Sequence, residues 1–250
     1  MTQIQRHRRS ERRAAPAPAP RRDSVQQKAP RPTRQVKRQQ PVPAWHKAGL
    51  IILSALCLAF IAAQGFLTAY INDQIAQREA AYQKVVSNHP LSYKDWIEHY
   101  AGENNLEPAF VAAIIMNESS FRPHAESSVG ASGLMQLMPD TAQWIAGKLD
   151  ESYSFERMKD PETNIRYGCW YLGFLAQRFQ GDPVSVACAY HAGQGEIQGW
   201  RSQPGMLNEN GGLILDKIME GPSKNYARKV TEDYGVYQRL YFQENPEIPM

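Results

Sequence analysis

The 250-residue chain reads as a mainly α protein, in which a disordered N-terminal tail and one transmembrane helix precede a helical domain. Three observations predict this class. Residues 48–72 hold no charged side chain. Beyond them apolar residues recur at three- and four-residue spacing, and no alternating apolar run of strand length stands out. The charge is divided to match: residues 1–47 carry 13 Lys/Arg against Glu11 and Asp23, a net +11, so the rest carries −8 within a total of +3. This layout excludes a purely cytosolic enzyme, a multi-span transporter and a disulfide-framed mini-protein.

Residues 1–47 contain seven of the 17 prolines and almost no large apolar side chain before Trp45, so nothing offsets the entropy of ordering them. A disordered, basic, cytoplasmic tail is expected. Its Arg clusters read as a topology signal; with no aromatic interleaving and no nucleic-acid-binding fold beside them, no nucleic acid partner is expected.

Residues 48–70 form a run of 23 uncharged residues, which as a helix spans about 35 Å and suffices for a hydrocarbon layer of about 30 Å. Trp45 and Tyr70 stand at its ends as interfacial anchors. Arg31, Arg34, Lys37, Arg38 and Lys47 precede it, while only Arg78 and Lys84 follow closely, so the basic side stays in the cytoplasm. A cleaved signal peptide fits less well, because the preceding region and the apolar run are both too long. Cys57 lies in mid-span after Leu56 and reads as a membrane-buried thiol. Residues 71–88 keep Ile71, Ile75, Tyr82, Val85 and Val86 at helical spacing and form a stalk, which Asn88, His89 and Pro90 end.

Residues 89–250 form the outer domain. Helices are expected over Tyr93–Asn104, Pro108–Glu118, Thr141–Lys148, Pro161–Phe179, Val184–Ala192, Glu196–Arg201, Asp216–Glu220 and Asn225–Phe242. Leu106-Glu107-Pro108 and Asp160-Pro161-Glu162 have the N-terminal proline and acidic first turn of helix starts. Cys169 and Cys188 fall in apolar helical patterns and read as buried thiols.

Helix 108–118 is apolar nearly all round and ends in Glu118. A carboxylate there that loses hydration stays protonated near neutral pH and serves as a general acid. One that points at water is an ordinary last-turn Glu, and the helix alone leaves both readings open. Gly130-Ala131-Ser132-Gly133-Leu134-Met135-Gln136-Leu137-Met138 supplies backbone freedom, an apolar wall and one amide, a mix suited to amide-bearing sugars, although by composition it is only a loop. Tyr190 and His191 end another apolar helix before Gly193. No H-E-x-x-H, Cys/His cluster, phosphate loop or G-x-S-x-G is present, so metal, nucleotide and serine-hydrolase chemistries have no footing.

Glu118-Ser119-Ser120-Phe121, Gly130–Pro139, Asp160-Pro161-Glu162-Thr163-Asn164-Ile165, Ala189-Tyr190-His191-Ala192-Gly193 and Tyr226 in Asn225-Tyr226-Ala227 resemble, in order, the motifs of the SLT-type lytic transglycosylases, relatives of goose-type lysozyme. The resemblance covers roughly residues 90–242. It implies a lysozyme-like α fold and cleavage of the MurNAc-β-1,4-GlcNAc bond of peptidoglycan glycan strands; the apolar span and its flanking charge place the chain at the bacterial cytoplasmic membrane with the catalytic domain outside. By the resemblance Glu118 is the catalytic acid/base, and Ser127, Gln136, Met138, Tyr190, His191 and Tyr226 line the substrate groove. His191 stands where the family usually has Asn, and Pro222-Ser223-Lys224 where it usually has a Glu.

Ordinary glycosidases use two carboxylates. Here the nearest downstream acids, Glu126 and Asp140, sit in loop segments. A single Glu suffices if the substrate's N-acetyl group steadies the developing cation and its C6 hydroxyl replaces water, which gives a 1,6-anhydro-MurNAc end and needs no metal or organic cofactor. A lysozyme-like hydrolase and a weakly active glycan-binding anchor of an envelope assembly are the alternatives.

Overall fold

The computed structural model describes residues 41–243. Residues 1–40 of the expected tail and residues 244–250 of the expected outer domain lie outside the described residues. By its contacts the chain divides into Met1–Phe60 and Ile61–Met250.

In the first unit the described residues are helical from Ala44 onward, as part of α1 (Ala44–Asn88). The helix therefore starts four residues inside the segment expected to be tail. Pro43 explains the point: its carbonyl accepts the His46 N–H at 3.0 Å, and a proline cannot extend a helix further back. Leu50, Ile51, Ile52, Leu53 and Leu56 are all more than half exposed. α1 is long and apolar enough to cross a membrane.

The second unit holds the rest of α1 and seven further helices among the described residues: α2 (Lys94–Glu103), α3 (Pro108–Ser119), α4 (Pro139–Lys148), α5 (Pro161–Arg178), α6 (Pro183–Ala192), α7 (Gln194–Arg201) and α8 (Pro222–Tyr237). The mainly α expectation holds for the described residues. Proline opens α3, α4, α5, α6 and α8, because the first helical N–H has no partner to lose. Asp160 and Asp182 cap α5 and α6 by accepting the N–H of Thr163 (2.9 Å) and Ser185 (3.0 Å).

Two expected elements differ and one unexpected turn is present. Asp216–Glu220 is a single 3₁₀ turn, Leu215–Lys217. Buried Ile218 is extended, and the buried Lys224 ammonium binds the Asp216 carbonyl at 3.3 Å, so tertiary contacts override the local pattern. A second 3₁₀ turn, Phe155–Lys159, buries Met158, and the last helix passes into a π turn over Gln238–Phe242.

α3 is the axis of the core. Ala109 through Ile115 are buried without interruption, with α8 and α2 packed against them; each large side chain so buried contributes about 1.5–3 kcal/mol. A smaller cluster of Leu137, Ile145, Met158 and Tyr167 holds α4 against the glycine-rich loop. Cys169 and Cys188 are buried and unpaired. The residues just after α1 are fastened to α8: His89 Nε2 lies 3.0 Å from Asp233, and the Tyr237 hydroxyl donates to the Pro90 carbonyl at 2.9 Å.

Candidate active site

The site forms where α3 stops. Ser120 and Phe121 both take left-handed backbone, φ 51° and 59°, at a cost of about 1 kcal/mol each. Burial of the Phe121 ring among the core side chains holds this turn. The chain reverses at once, and Glu118 is left partly buried at the helix end with no residue continuing above it.

Across from it, α8 presents Tyr226, whose hydroxyl donates to Glu118 Oε1 at 2.6 Å. Burial pushes the Glu118 carboxyl up to about 7, against the pull of the Tyr226 hydrogen bond, which favours the ionised form. Burial, reinforced by the Glu118 charge, raises the phenols of Tyr226 and Tyr190 in turn, so both remain protonated donors.

The floor is the glycine-rich loop, which sequence composition left shapeless. Ser132 and Leu137 exchange both backbone hydrogen bonds at 3.1 Å, closing a tight turn. Gly133 sits in it at φ 84°, and a Cβ there would run into the Met158 carbonyl and the Asn164 amide. Asn164 is fully buried and satisfied: Nδ2 donates to the carbonyls of Ser132 (3.1 Å) and Met158 (2.9 Å), and Oδ1 accepts the Met135 N–H at 2.7 Å. Tyr190 donates to the Met135 carbonyl at 2.7 Å, so Met135 is gripped through both its backbone polar groups.

The structure brings Glu118, Tyr226 and His191 into one contact chain, with the His191 ring 4.8 Å from that of Tyr226 and its Nδ1 3.3 Å from Ser223 Oγ. Tyr190 stands close enough for the Glu118 charge to act on its phenol. Gln136 adopts φ 48° and spends its amide nitrogen on the carbonyls of Ala125 and Gly133, both at 2.9 Å, which leaves Oε1 as its remaining polar atom. Ser127 Oγ accepts the Ala131 N–H at 2.9 Å within the same loop. Met138 is 40% exposed just before α4. Asn164 was visible to sequence reading only as one letter of a motif. Its spacing from the Asp160 cap, one helical turn, is the signal that places it on the inner face of α5.

The other acids are committed elsewhere. Glu126 pairs with Lys159 at 2.9 Å, which holds its carboxyl below the usual carboxylate range. Asp140 lines a separate recess with Thr141 and Trp144. Burial raises the Glu118 carboxyl and the Tyr226 hydrogen bond lowers it, and among the described residues its one side-chain hydrogen-bond partner is Tyr226. Among the described residues no group of three His, Cys, Asp or Glu side chains is placed to hold a metal ion. The arrangement is a single carboxyl poised near neutrality beside a phenol donor, chemistry suited to giving and retrieving one proton.

Residues 95–211 match the transglycosylase SLT domain. The soluble lytic murein transglycosylase of Escherichia coli K12 is 31% identical over 166 residues, covering 64% of this chain and 25% of that protein. The membrane-bound lytic murein transglycosylase E of Buchnera aphidicola is 28% identical over 134 residues, covering 52% of this chain and 60% of its own. The crystal structure of the 70 kDa soluble lytic transglycosylase of E. coli superposes with a TM-score of 0.60 at 28% identity, covering 66% of this chain and 27% of that one. The chain spans about a quarter of the length of the curated relatives it matches first. Over the aligned span its fold is the lysozyme-like fold of these proteins.

Proposed function

We propose, from the premise that residues 95–211 are a transglycosylase SLT domain, that the chain is a membrane-anchored lytic transglycosylase. It cleaves the MurNAc-β-1,4-GlcNAc bond of peptidoglycan and leaves 1,6-anhydro-MurNAc ends. The observation that carries this reading is Glu118 at the end of α3, raised to about 7 by burial and hydrogen-bonded, among the described residues, to the Tyr226 hydroxyl alone. Two-carboxylate hydrolysis requires a second acid across the scissile bond, and among the described residues no hydrogen bond or ion pair ties a second carboxylate to Glu118.

In the first step the protonated Glu118 gives its proton to the glycosidic oxygen as the C1–O bond breaks and the GlcNAc hydroxyl leaves. The N-acetyl group of MurNAc stabilises the positive charge at C1. In the second step the Glu118 carboxylate takes the proton of the MurNAc C6 hydroxyl as that oxygen bonds to C1, which restores the acid. A carboxyl raised to about 7 stays available as the acid near neutral pH, and its proton loss in the first step supplies the base for the second. Tyr226 steadies the carboxylate between them through its hydrogen bond. Ser127, Gln136, Met138, Tyr190 and His191 are read as groove residues around this centre, with the loop under Met135 as its floor.

The reading extends to topology: residues 1–47 in the cytoplasm, 48–70 across the bilayer, 71–88 as stalk and 89–250 outside. Membrane-bound lytic transglycosylases among the relatives support it, as does the apolar span. Digesting purified sacculi with the full chain and weighing the muropeptides tests the chemistry. Anhydro ends are lighter by one water than hydrolytic ends. Products carrying the extra water would make the protein a hydrolase, and no products at all would leave a glycan-binding anchor.

A further inference from the structure

α8 reaches the end of α3 twice. Tyr226 holds Glu118, and Asp233, two helical turns further on and so on the same face of α8, holds the residue beside it. The Asn117 amide nitrogen donates to Asp233 Oδ2 at 2.7 Å and to the Ala113 carbonyl at 2.9 Å. Both of its N–H groups are engaged, which fixes the orientation of the side chain. The mechanism proposed above uses Tyr226 and leaves Asp233 without a role.

The other oxygen of Asp233 serves a different element. Oδ1 lies 3.0 Å from His89 Nε2, with 17% of the His89 side chain and 22% of the Asp233 side chain exposed. His89 Nδ1 lies 2.9 Å from the carbonyl of Val85, in the last turn of α1. The His89 ring stands edge-on to Tyr237 at 5.7 Å and 79°, and the Tyr241 hydroxyl donates to the His89 carbonyl at 2.8 Å. His89 is thus held through both ring nitrogens and its backbone. A carboxylate withdrawn from water needs partners, and here each oxygen takes one from a different part of the chain.

We infer that Asp233 is a positioning residue for Glu118: through Asn117 it sets the last turn of α3, and through His89 it ties that turn to the end of α1, which makes the end of α1 a working part of the catalytic centre. Asn117 and Glu118 are neighbours in a helix that stops at left-handed Ser120 and Phe121. A shift of the Asn117 backbone therefore carries the Glu118 carboxyl with it. The carboxyl is faced by the phenols of Tyr226 on α8 and Tyr190 on α6, with His191 over the Tyr226 ring. Its 2.6 Å hydrogen bond with Tyr226 weakens steeply as distance and angle depart from that geometry. A reacting group misplaced by about 1 Å costs on the order of a hundredfold in rate. The inference rests on the reading of Glu118 as the proton donor and acceptor of a glycan-cleaving centre.

The test is steady-state turnover of peptide-free GlcNAc–MurNAc oligomers by the full chain in detergent, followed from about pH 5 to 9. Asn117→Leu keeps the side-chain bulk and removes both donors. Its kcat should fall about ten- to a hundredfold with KM unchanged. The descending limb of the profile, where Glu118 loses its proton, should move alkaline by about half to one pH unit, because the Tyr226 hydrogen bond to the carboxylate is weakened. His89→Leu, which leaves α3 and α8 untouched, should give the same two changes at smaller size. Tyr226→Phe combined with Asn117→Leu should move the limb no further than Tyr226→Phe alone. Asp233→Asn should restore the unmodified behaviour: its oxygen accepts from Asn117, and its amide donates to His89 Nε2 once the ring proton sits on Nδ1 against the Val85 carbonyl.

An unmoved limb with a lowered melting temperature would make Asp233 a structural brace. Limb shifts that add in the double variant would make the two ties from α8 independent, and a shift in Asn117→Leu that His89→Leu lacks would detach α1. A shift in Asp233→Asn as large as in Asn117→Leu would assign the effect to charge instead of position. Each of these overturns the positioning role. Should Asn117→Leu fail to fold, His89→Leu alone and with Tyr226→Phe carries the same comparison. No product from the unmodified chain, or full turnover by Glu118→Gln, would overturn the reading of Glu118 itself.

Discussion

The hydroxyl of Tyr226 stands 2.6 Å from Oε1 of Glu118, joining two residues 108 positions apart in the chain. This is the one hydrogen bond that favours the ionised carboxyl against its burial. Removing it sends the carboxyl further up. A hydrogen bond to a charged group is worth about 1.5–3 kcal/mol, or roughly one to two pH units. In Tyr226→Phe the protonated carboxyl needed for the first proton transfer therefore persists to higher pH. The descending limb of the pH–rate profile should move alkaline by about one unit. An unmoved limb would detach Tyr226 from the titration.

Glu118→Gln should lower muropeptide release by about 10²-fold or more, since general acid–base catalysis contributes on that scale. The same substitution has a stability signature. The folded carboxyl sits at about 7 against an ordinary 4.5, so the fold favours the protonated form. The associated stability is fully present below about pH 4.5 and is lost as pH rises through 7. Glutamine carries no such penalty. Thermal unfolding should show the variant matching the parent near pH 4.5 and exceeding it at pH 8, by on the order of 1–3 kcal/mol. A pH-independent difference would mean that the carboxyl is not desolvated.

What the sequence made legible follows from the range of the physics involved. α3 was readable because seven consecutive buried residues leave an apolar helix no exposed face, and Glu118 was singled out by ending it. The capping acids and opening prolines were readable because they act within one turn. Gln136 was not: its composition offered a donor and an acceptor, but the left-handed turn spends the donor on Ala125 and Gly133. Nor was the Asp216–Glu220 stretch, where buried Ile218 and Lys224 impose an extended path on residues with helical spacing. Pairings such as Tyr226 with Glu118, or Asn164 with Met135, depend on how helices pack, which periodicity does not encode.

Gly130 and Gly133 separate backbone strain from crowding. Both have positive φ, 91° and 84°, but a Cβ at Gly130 meets nothing within 4 Å, whereas at Gly133 it meets Met158 and Asn164. Gly130→Ala should cost about 1 kcal/mol. Gly133→Ala should cost about 2–4 kcal/mol, adding the forced shift of neighbours, and should depress activity by moving Met135 off Tyr190. Denaturant unfolding of both variants checks this, and equal costs would dismiss the close approach.

The topology proposed above takes the charge asymmetry around residues 48–70 as its orienting signal. A membrane-impermeant thiol reagent applied to intact spheroplasts should label Ser87→Cys and fail to label Ser24→Cys. The native Cys169 and Cys188 are buried and contribute little background. The reverse labelling would invert the protein in the bilayer.

His191 should give the enzyme an acid sensitivity that Asn would not. Its ring lies over Tyr226 at 4.8 Å, tilted by 32°, with Nδ1 3.3 Å from Ser223 Oγ. Partial burial holds the imidazole below its ordinary 6.5, and the charge of Glu196 on α7 only partly opposes this. The folded state therefore favours the neutral ring, and that preference is fully present above pH 6.5 and lost as pH falls through the lower folded value. The contact that carries an effect from His191 to Glu118 is the Tyr226 ring, which His191 overlies and whose hydroxyl donates to the Glu118 carboxyl. A protonated imidazole is better solvated away from Tyr226, and its departure uncovers the phenol that steadies the Glu118 carboxylate. Below about pH 6 the unmodified protein should lose activity more steeply than His191→Asn, and the two should coincide above about pH 7.5, where the imidazole is neutral in both folded and unfolded chains. Parallel pH–rate profiles from about pH 5 to 8 decide it. If the curves superimpose throughout, His191 serves only as a hydrogen-bonding group at the end of α6.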